Sequence, residues 1–134
     1  GNQLVCDEND NILYEEENLL INATFLSLDE AYEKVIEHGG ILIPAHIDRK
    51  SNGIISVLGS LPETPKFNIA ELNFRNSIDS YREMTGINTF LVNSDAHYLW
   101  DIKEKEDFLE LDADLNASGD EIRKALFEFL RGAK

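Results

Sequence analysis

The sequence predicts an α/β fold of parallel βα units behind a short N-terminal β-hairpin. Two observations carry this. Helical stretches with one apolar face alternate with short apolar runs, the order that βα units leave in a chain. The longest helical stretches also open on a Ser-x-x-Glu pattern, Ser27 with Glu30 and Ser118 with Glu121, which is the spacing of a capping box.

The elements follow in order. "QLVCDENDNILYE" reads as two short strands around an Asn/Asp-rich turn. "LSLDEAYEKVIEHGG" is a helix with Leu28, Ala31, Tyr32, Val35 and Ile36 on one face, and Gly39-Gly40 supply its stop. "ILIPAH" follows at once as a continuously apolar run, the pattern of a strand buried on both faces. "GIISVLGSL" is a short helix, "FNIAELNF" a second strand, and "RNSIDSYREMTG" a helix closed by Gly86. "INTFLVN" is a third strand and "DFLEL" a fourth. "SGDEIRKALFEFLRG" closes the chain as an amphipathic helix with Ile122, Leu126 and Phe129 on one face. Pro62 and Pro65 bracket a local turn. With no internal repeat and no low-complexity linker, residues 1–134 form a single domain.

Composition narrows the function. No run approaches the roughly 18 apolar residues of a membrane span, and no secretory signal opens the chain, so no membrane partner is expected. A lone cysteine, Cys6, cannot close an internal disulfide and favours a reducing, cytoplasmic setting. The formal net charge of -14 argues against generic nucleic-acid coating, although metals or arginines can reverse the sign locally. Six acidic side chains cluster between Asp7 and Glu17, and they read as a solvated hairpin before they read as a cation site. There is no G-x-G-x-x-G, P-loop or G-x-S-x-G, so a dinucleotide fold and a serine hydrolase lack support.

Parallel α/β folds place their sites at the carboxyl ends of strands. Two predicted strands end in histidine-bearing segments, "ILIPAH" at His46 and "FLVNSDAH" at Asp95 and His97. On an extended backbone Asp95 and His97 leave on the same side, so both can reach one metal ion or one ion each of a close pair. Carboxylate and imidazole suit Zn²⁺, Mn²⁺ or Fe. D-x-H alone is weak, because an aspartate here also caps turns; His46 on a second strand strengthens it. Arg49 and Lys50 are a basic pair that suits phosphate, yet spacing alone favours ordinary surface charge. Glu71 faces either the strand-end edge or an exposed sheet edge. His38, at a helix C-terminus, reads as structural.

At "GGILIPAHIDR" and "LVNSDAHYLWDI" the sequence resembles the PHP family, the polymerase and histidinol phosphatase domain, and in particular its stand-alone phosphoesterase-like members. The resemblance implies a distorted barrel of seven βα units, of which this chain is the C-terminal part. It implies two or three divalent metal ions (Mn, Fe or Zn) at the strand ends and hydrolysis of a small phosphorylated metabolite or nucleotide by metal-activated water. It makes His46, Asp95 and His97 metal ligands and Arg49 a substrate-phosphate contact, and it names no catalytic residue on this chain. Alternatives within it are an exonuclease-like module and a non-catalytic binding or regulatory domain. The family's N-terminal H-x-H and Asp-His motifs have no counterpart here, since no histidine precedes His38. The chain is therefore expected to be the C-terminal half of such a protein, inactive alone. Unpaired strand edges lead to the expectation of a homodimer.

Overall fold

The computed structural model describes residues 2–104 and 106–132. Strands β1 (Leu4–Cys6) and β2 (Ile12–Glu15) pair antiparallel, with an irregularity between Val5 and Cys6. The hairpin turn is built by Asp7, whose carboxylate accepts from the Asn9 and Asn11 amides at 2.9 Å and from the Asn11 side chain. These bonds, led by that of the Asn11 side chain, hold the Asp7 carboxyl below its ordinary value. Asp7, the first residue of the acidic cluster, thus builds a hydrogen-bonded turn. The Gln3 side chain then ties down the following segment, donating to the Glu16 and Asn18 carbonyls and accepting from the Leu20 amide.

Helix α1 (Leu28–Glu37) opens on the expected capping box: Glu30 N–H donates to Ser27 Oγ at 3.2 Å and Ser27 N–H to Glu30 Oε2 at 2.8 Å. It closes on a Schellman motif, in which Gly39 N–H bonds the Ile36 carbonyl and Gly40 N–H the Val35 carbonyl. Gly39 takes a φ of 73° there, which suits glycine. His38 Nδ1 lies 2.8 Å from the Lys34 carbonyl oxygen, the structural role its position implies. Leu28, Ala31, Tyr32 and Val35 are half-buried as the pattern predicts, whereas Ile36 is 48% exposed. Helix α2 (Ile54–Leu58), helix α3 (Ile78–Thr85, entered through a 3₁₀ turn at Arg75–Ser77) and helix α4 (Gly119–Gly132) stand where their sequences place them. Ser118 and Glu121 form the second capping box. On α4, Leu126 and Phe129 are half-buried and Ile122 is exposed.

Strands β3 (Ile69–Leu72) and β4 (Thr89–Val92) run parallel in the register Ile69↔Thr89 to Leu72↔Val92. They are the whole parallel sheet among the described residues, so the expected four strands reduce to two. "ILIPAH" is not a strand. The segment lies beside β3, with Glu71 N–H donating to the Pro44 carbonyl and Ile47 N–H donating to the Glu71 carbonyl. Two parallel-type bonds need one residue fewer between 44 and 47. Pro44 supplies no donor and His46 takes a positive φ of 34°, so the ladder ends before it starts. "DFLEL" also forms no strand; Arg75 instead pairs with Asp107.

The core gathers on β3. Ile47, Phe67, Ala70, Leu72 and Ile87 form one buried cluster, against which Leu28, Leu42, Ile54, Tyr81 and Phe90 pack. Parallel strands joined through a helix, with side chains buried on both faces of β3, explain why these short runs are nearly all apolar. No described helix is long and apolar enough to cross a membrane.

Candidate functional site

The carboxyl ends of β3 and β4 lie side by side, joined by the Asn93 N–H bond to the Leu72 carbonyl at 3.1 Å. The loop that follows "ILIPA" is drawn onto this end. Asp48 accepts from the Asn73 amide at 2.9 Å and the Phe74 amide at 3.0 Å, just beyond β3. Ile47, 1% exposed, anchors the same loop in the core. Inside the loop Arg49 N–H donates to the His46 carbonyl at 3.0 Å, closing a tight turn. Gly53 packs against that turn so closely that a Cβ there would sit 2.9 Å from the His46 carbonyl oxygen. Only glycine fits such an approach.

From this platform Arg49 reaches across to Asp95, beyond the end of β4, and pairs with its carboxylate. His97 Nε2 stands 3.6 Å from the other Asp95 oxygen. Arg49, Asp95 and His97 therefore form one polar cluster at the strand ends. The Arg49 and Asp95 side chains are 40% and 23% exposed, so water screens the pair and it contributes at most about 1 kcal/mol. A ligand can displace it cheaply.

The route by which Asp95 and His97 meet differs from the expected one. Asp95 is not extended; its φ is 49°. The left-handed turn swings the chain so that His97 folds back toward the Asp95 carboxylate. His46 is left-handed as well, and Asn52 in the same loop has a φ of 60°. Non-glycine residues adopt this region rarely and at a cost of about 1–3 kcal/mol, and such residues concentrate at functional sites. Among the described residues four are of this kind: His46, Asn52 and Asp95 lie in the two segments that meet here, and Asp10 lies in the hairpin turn.

His46 itself is half-buried, and its Nδ1 is buried with no hydrogen-bond partner among the described residues; the same holds for Asn73 Oδ1. A buried ring nitrogen without a partner is poorly satisfied by protein alone. As donor chemistry, two imidazoles and a carboxylate fit a Zn²⁺, Mn²⁺ or Fe ion. As geometry, no three His, Cys, Asp or Glu side chains gather into an ion-holding group among the described residues, so His46 is not drawn into one trio with Asp95 and His97. Glu71 lies within β3, half-buried, its backbone bonded to Pro44 and Ile47.

Sequence reasoning missed four residues here. Asp48 fastens the loop, and Asn73 holds its side-chain oxygen in a buried position. Tyr98 and Trp100 follow His97 directly and stack face to face, with centroids 4.9 Å apart and planes 6° apart. Aromatics at i and i+2 after "SDAH" were the available signal for the last two; nothing in "HIDRK" marks Asp48. Compared with known proteins, the chain significantly matches no family model, no curated protein and no solved structure.

Proposed function

We propose that the chain carries one part of a metal-dependent phosphoesterase centre of the PHP type, at the carboxyl-end edge of β3 and β4, within a protein that supplies the remaining ligands and barrel strands. The observation that supports this best is the cluster of Arg49, Asp95 and His97 at the strand ends, with the unpartnered Nδ1 of His46 on the adjoining loop. In this reading His46, Asp95 and His97 would hold divalent ions, which would supply an activated water and positive charge for phosphoryl oxygens. Arg49 leaves Asp95 and turns its guanidinium fork to the substrate phosphate, a match of shape and charge. Asp48 and Gly53 keep the Arg49 turn in place through the exchange. The locally positive edge this creates lets a strongly acidic chain accept an anionic substrate.

The test uses the complete gene product purified with Mn²⁺, Fe²⁺ or Zn²⁺. It should hold more than one metal equivalent by elemental analysis and release phosphate from phosphomonoesters. Asp95→Asn should lower both metal content and turnover, and Arg49→Gln should raise KM while metal content stays. A product that stays metal-free after that preparation refutes the proposal.

A further inference from the structure

Two buried side-chain atoms go without a hydrogen bond among the described residues, His46 Nδ1 and Asn73 Oδ1. They are chemically complementary. A ring nitrogen can carry a hydrogen and donate it, and an amide oxygen only accepts. They also belong to two segments fastened to each other. Ile47, next to His46, donates its N–H to the Glu71 carbonyl, and Asn73 donates its own N–H to Asp48 Oδ1 at 2.9 Å. His46 and Asn73 thus flank one set of cross-links at the carboxyl end of β3. The other Asp48 oxygen is engaged by the Phe74 N–H at 3.0 Å. The Asn73 backbone is held on both sides, its N–H by Asp48 and its carbonyl by the Lys103 ammonium. Its side chain is the part left free to turn.

We infer that Asn73 is a positioning residue for His46: its side-chain oxygen takes the hydrogen on Nδ1 and leaves the Nε2 lone pair bare. Neither atom gives up a partner in joining the other, and the amide torsion of asparagine is soft, so turning it costs little. A buried polar atom without a partner forfeits its desolvation in full, and one bond between these two recovers that loss at both ends. A neutral imidazole carries a single ring hydrogen. Fixing it on Nδ1 makes Nε2 the one atom that can bind an ion. Metal-bound histidines take this arrangement almost always, the second ring nitrogen donating to an oxygen. The reversed amide, with Asn73 Nδ2 donating to Nδ1, puts the hydrogen on Nε2 and blocks it. The use of Nε2 for an ion rests on the proposed function, while the tautomer stands without it.

The complete gene product is labelled with heavy nitrogen and freed of metal by a chelator, since an ion on Nε2 would itself drive the hydrogen to Nδ1. Long-range proton–nitrogen spectra at alkaline pH, where the rings are neutral, report which nitrogen of each ring carries the hydrogen. Loss of a signal in His46→Gln assigns the ring. His46 should carry its hydrogen on Nδ1. His38 is the internal standard, because its Nδ1 lies 2.8 Å from the Lys34 carbonyl oxygen, which can only accept. Asn73→Asp keeps an acceptor and should keep the His46 tautomer. Asn73→Leu removes the acceptor and should move the hydrogen toward Nε2, the form a free ring favours in water, with the His38 signal unchanged. Hydrogen on Nε2 of His46 in the unsubstituted protein overturns the inference, and that measurement needs no variant to fold. A His46 tautomer that survives Asn73→Leu overturns it too. In the metal-loaded protein Asn73→Leu should weaken ion binding about 10- to 100-fold, and Asn73→Asp should not. A protein that loses the Nδ1–H tautomer in Asn73→Leu yet holds no metal upholds the positioning role and refutes the phosphoesterase reading alone.

Discussion

Replacing Ile47 with alanine should unfold more than its size suggests. Ile47 is 1% exposed in a core of six buried hydrophobic residues among the described ones, and it fastens the loop of His46 and Arg49 to β3. The change removes three carbons, worth about 2.4 kcal/mol at roughly 0.8 kcal/mol each. The cavity left behind brings the expected loss to about 3 kcal/mol, within the range for such truncations. Domains hold only about 5–15 kcal/mol in total. At about 2.1 cal/mol/K of unfolding entropy per residue, a chain this long loses roughly 10 °C in Tm. Urea unfolding followed by circular dichroism measures the loss, with Ile47→Val expected at about 1 kcal/mol and Ile21→Ala, at an exposed position, near zero. If Ile47→Ala matches Ile21→Ala, the loop is not anchored in the core, and the account of how Arg49 is positioned falls with it.

Gly53→Ala forces a Cβ against the His46 carbonyl and should cost about 1–3 kcal/mol by overpacking; an unchanged urea midpoint would show that the turn yields. Hydrogen bonds from Ser27 hold the Glu30 carboxyl below its ordinary value of 4.5, and those from Ser118 do the same for Glu121. Depressed carboxyls stabilise the fold above the unfolded pKa, and that contribution disappears as pH falls through the folded values. Helicity should therefore drop on acidification below about pH 4.5, and a Glu30→Gln, Glu121→Gln double variant should flatten that slope. The hairpin leaves Leu4, Ile12, Leu13 and Tyr14 in water, and β4 has no second ladder partner among the described residues. Light scattering at high concentration should give twice the chain mass, and a monodisperse monomer there removes the dimer.

Local chemistry was legible in the sequence and non-local pairing was not. Both capping boxes, the Gly39-Gly40 stop and the two ladder strands are encoded within a few residues of themselves, and all stand where expected. "ILIPAH" and "DFLEL" have the composition of strands, but a strand needs a neighbour in register. The bend at His46 denies one to the first, and no ladder partner meets the second among the described residues. The same bends account for what was half-seen at the site. Asp95 and His97 do meet, with Arg49 beside them, but through a left-handed turn that no periodicity announces. Asp48 was invisible because its work is done on backbone amides far along the chain, those of Asn73 and Phe74.

The left-handed backbone at His46 and Asp95 has a consequence for how this chain responds to selection. Glycine would relieve both positions at once, and it would remove a ring and a carboxylate from the strand ends in doing so. A library screened for thermal tolerance alone should therefore enrich glycine at 46 and 95 early, becoming sturdier and emptier at the same edge. Laboratory drift toward robustness would erase this surface before it touched the core.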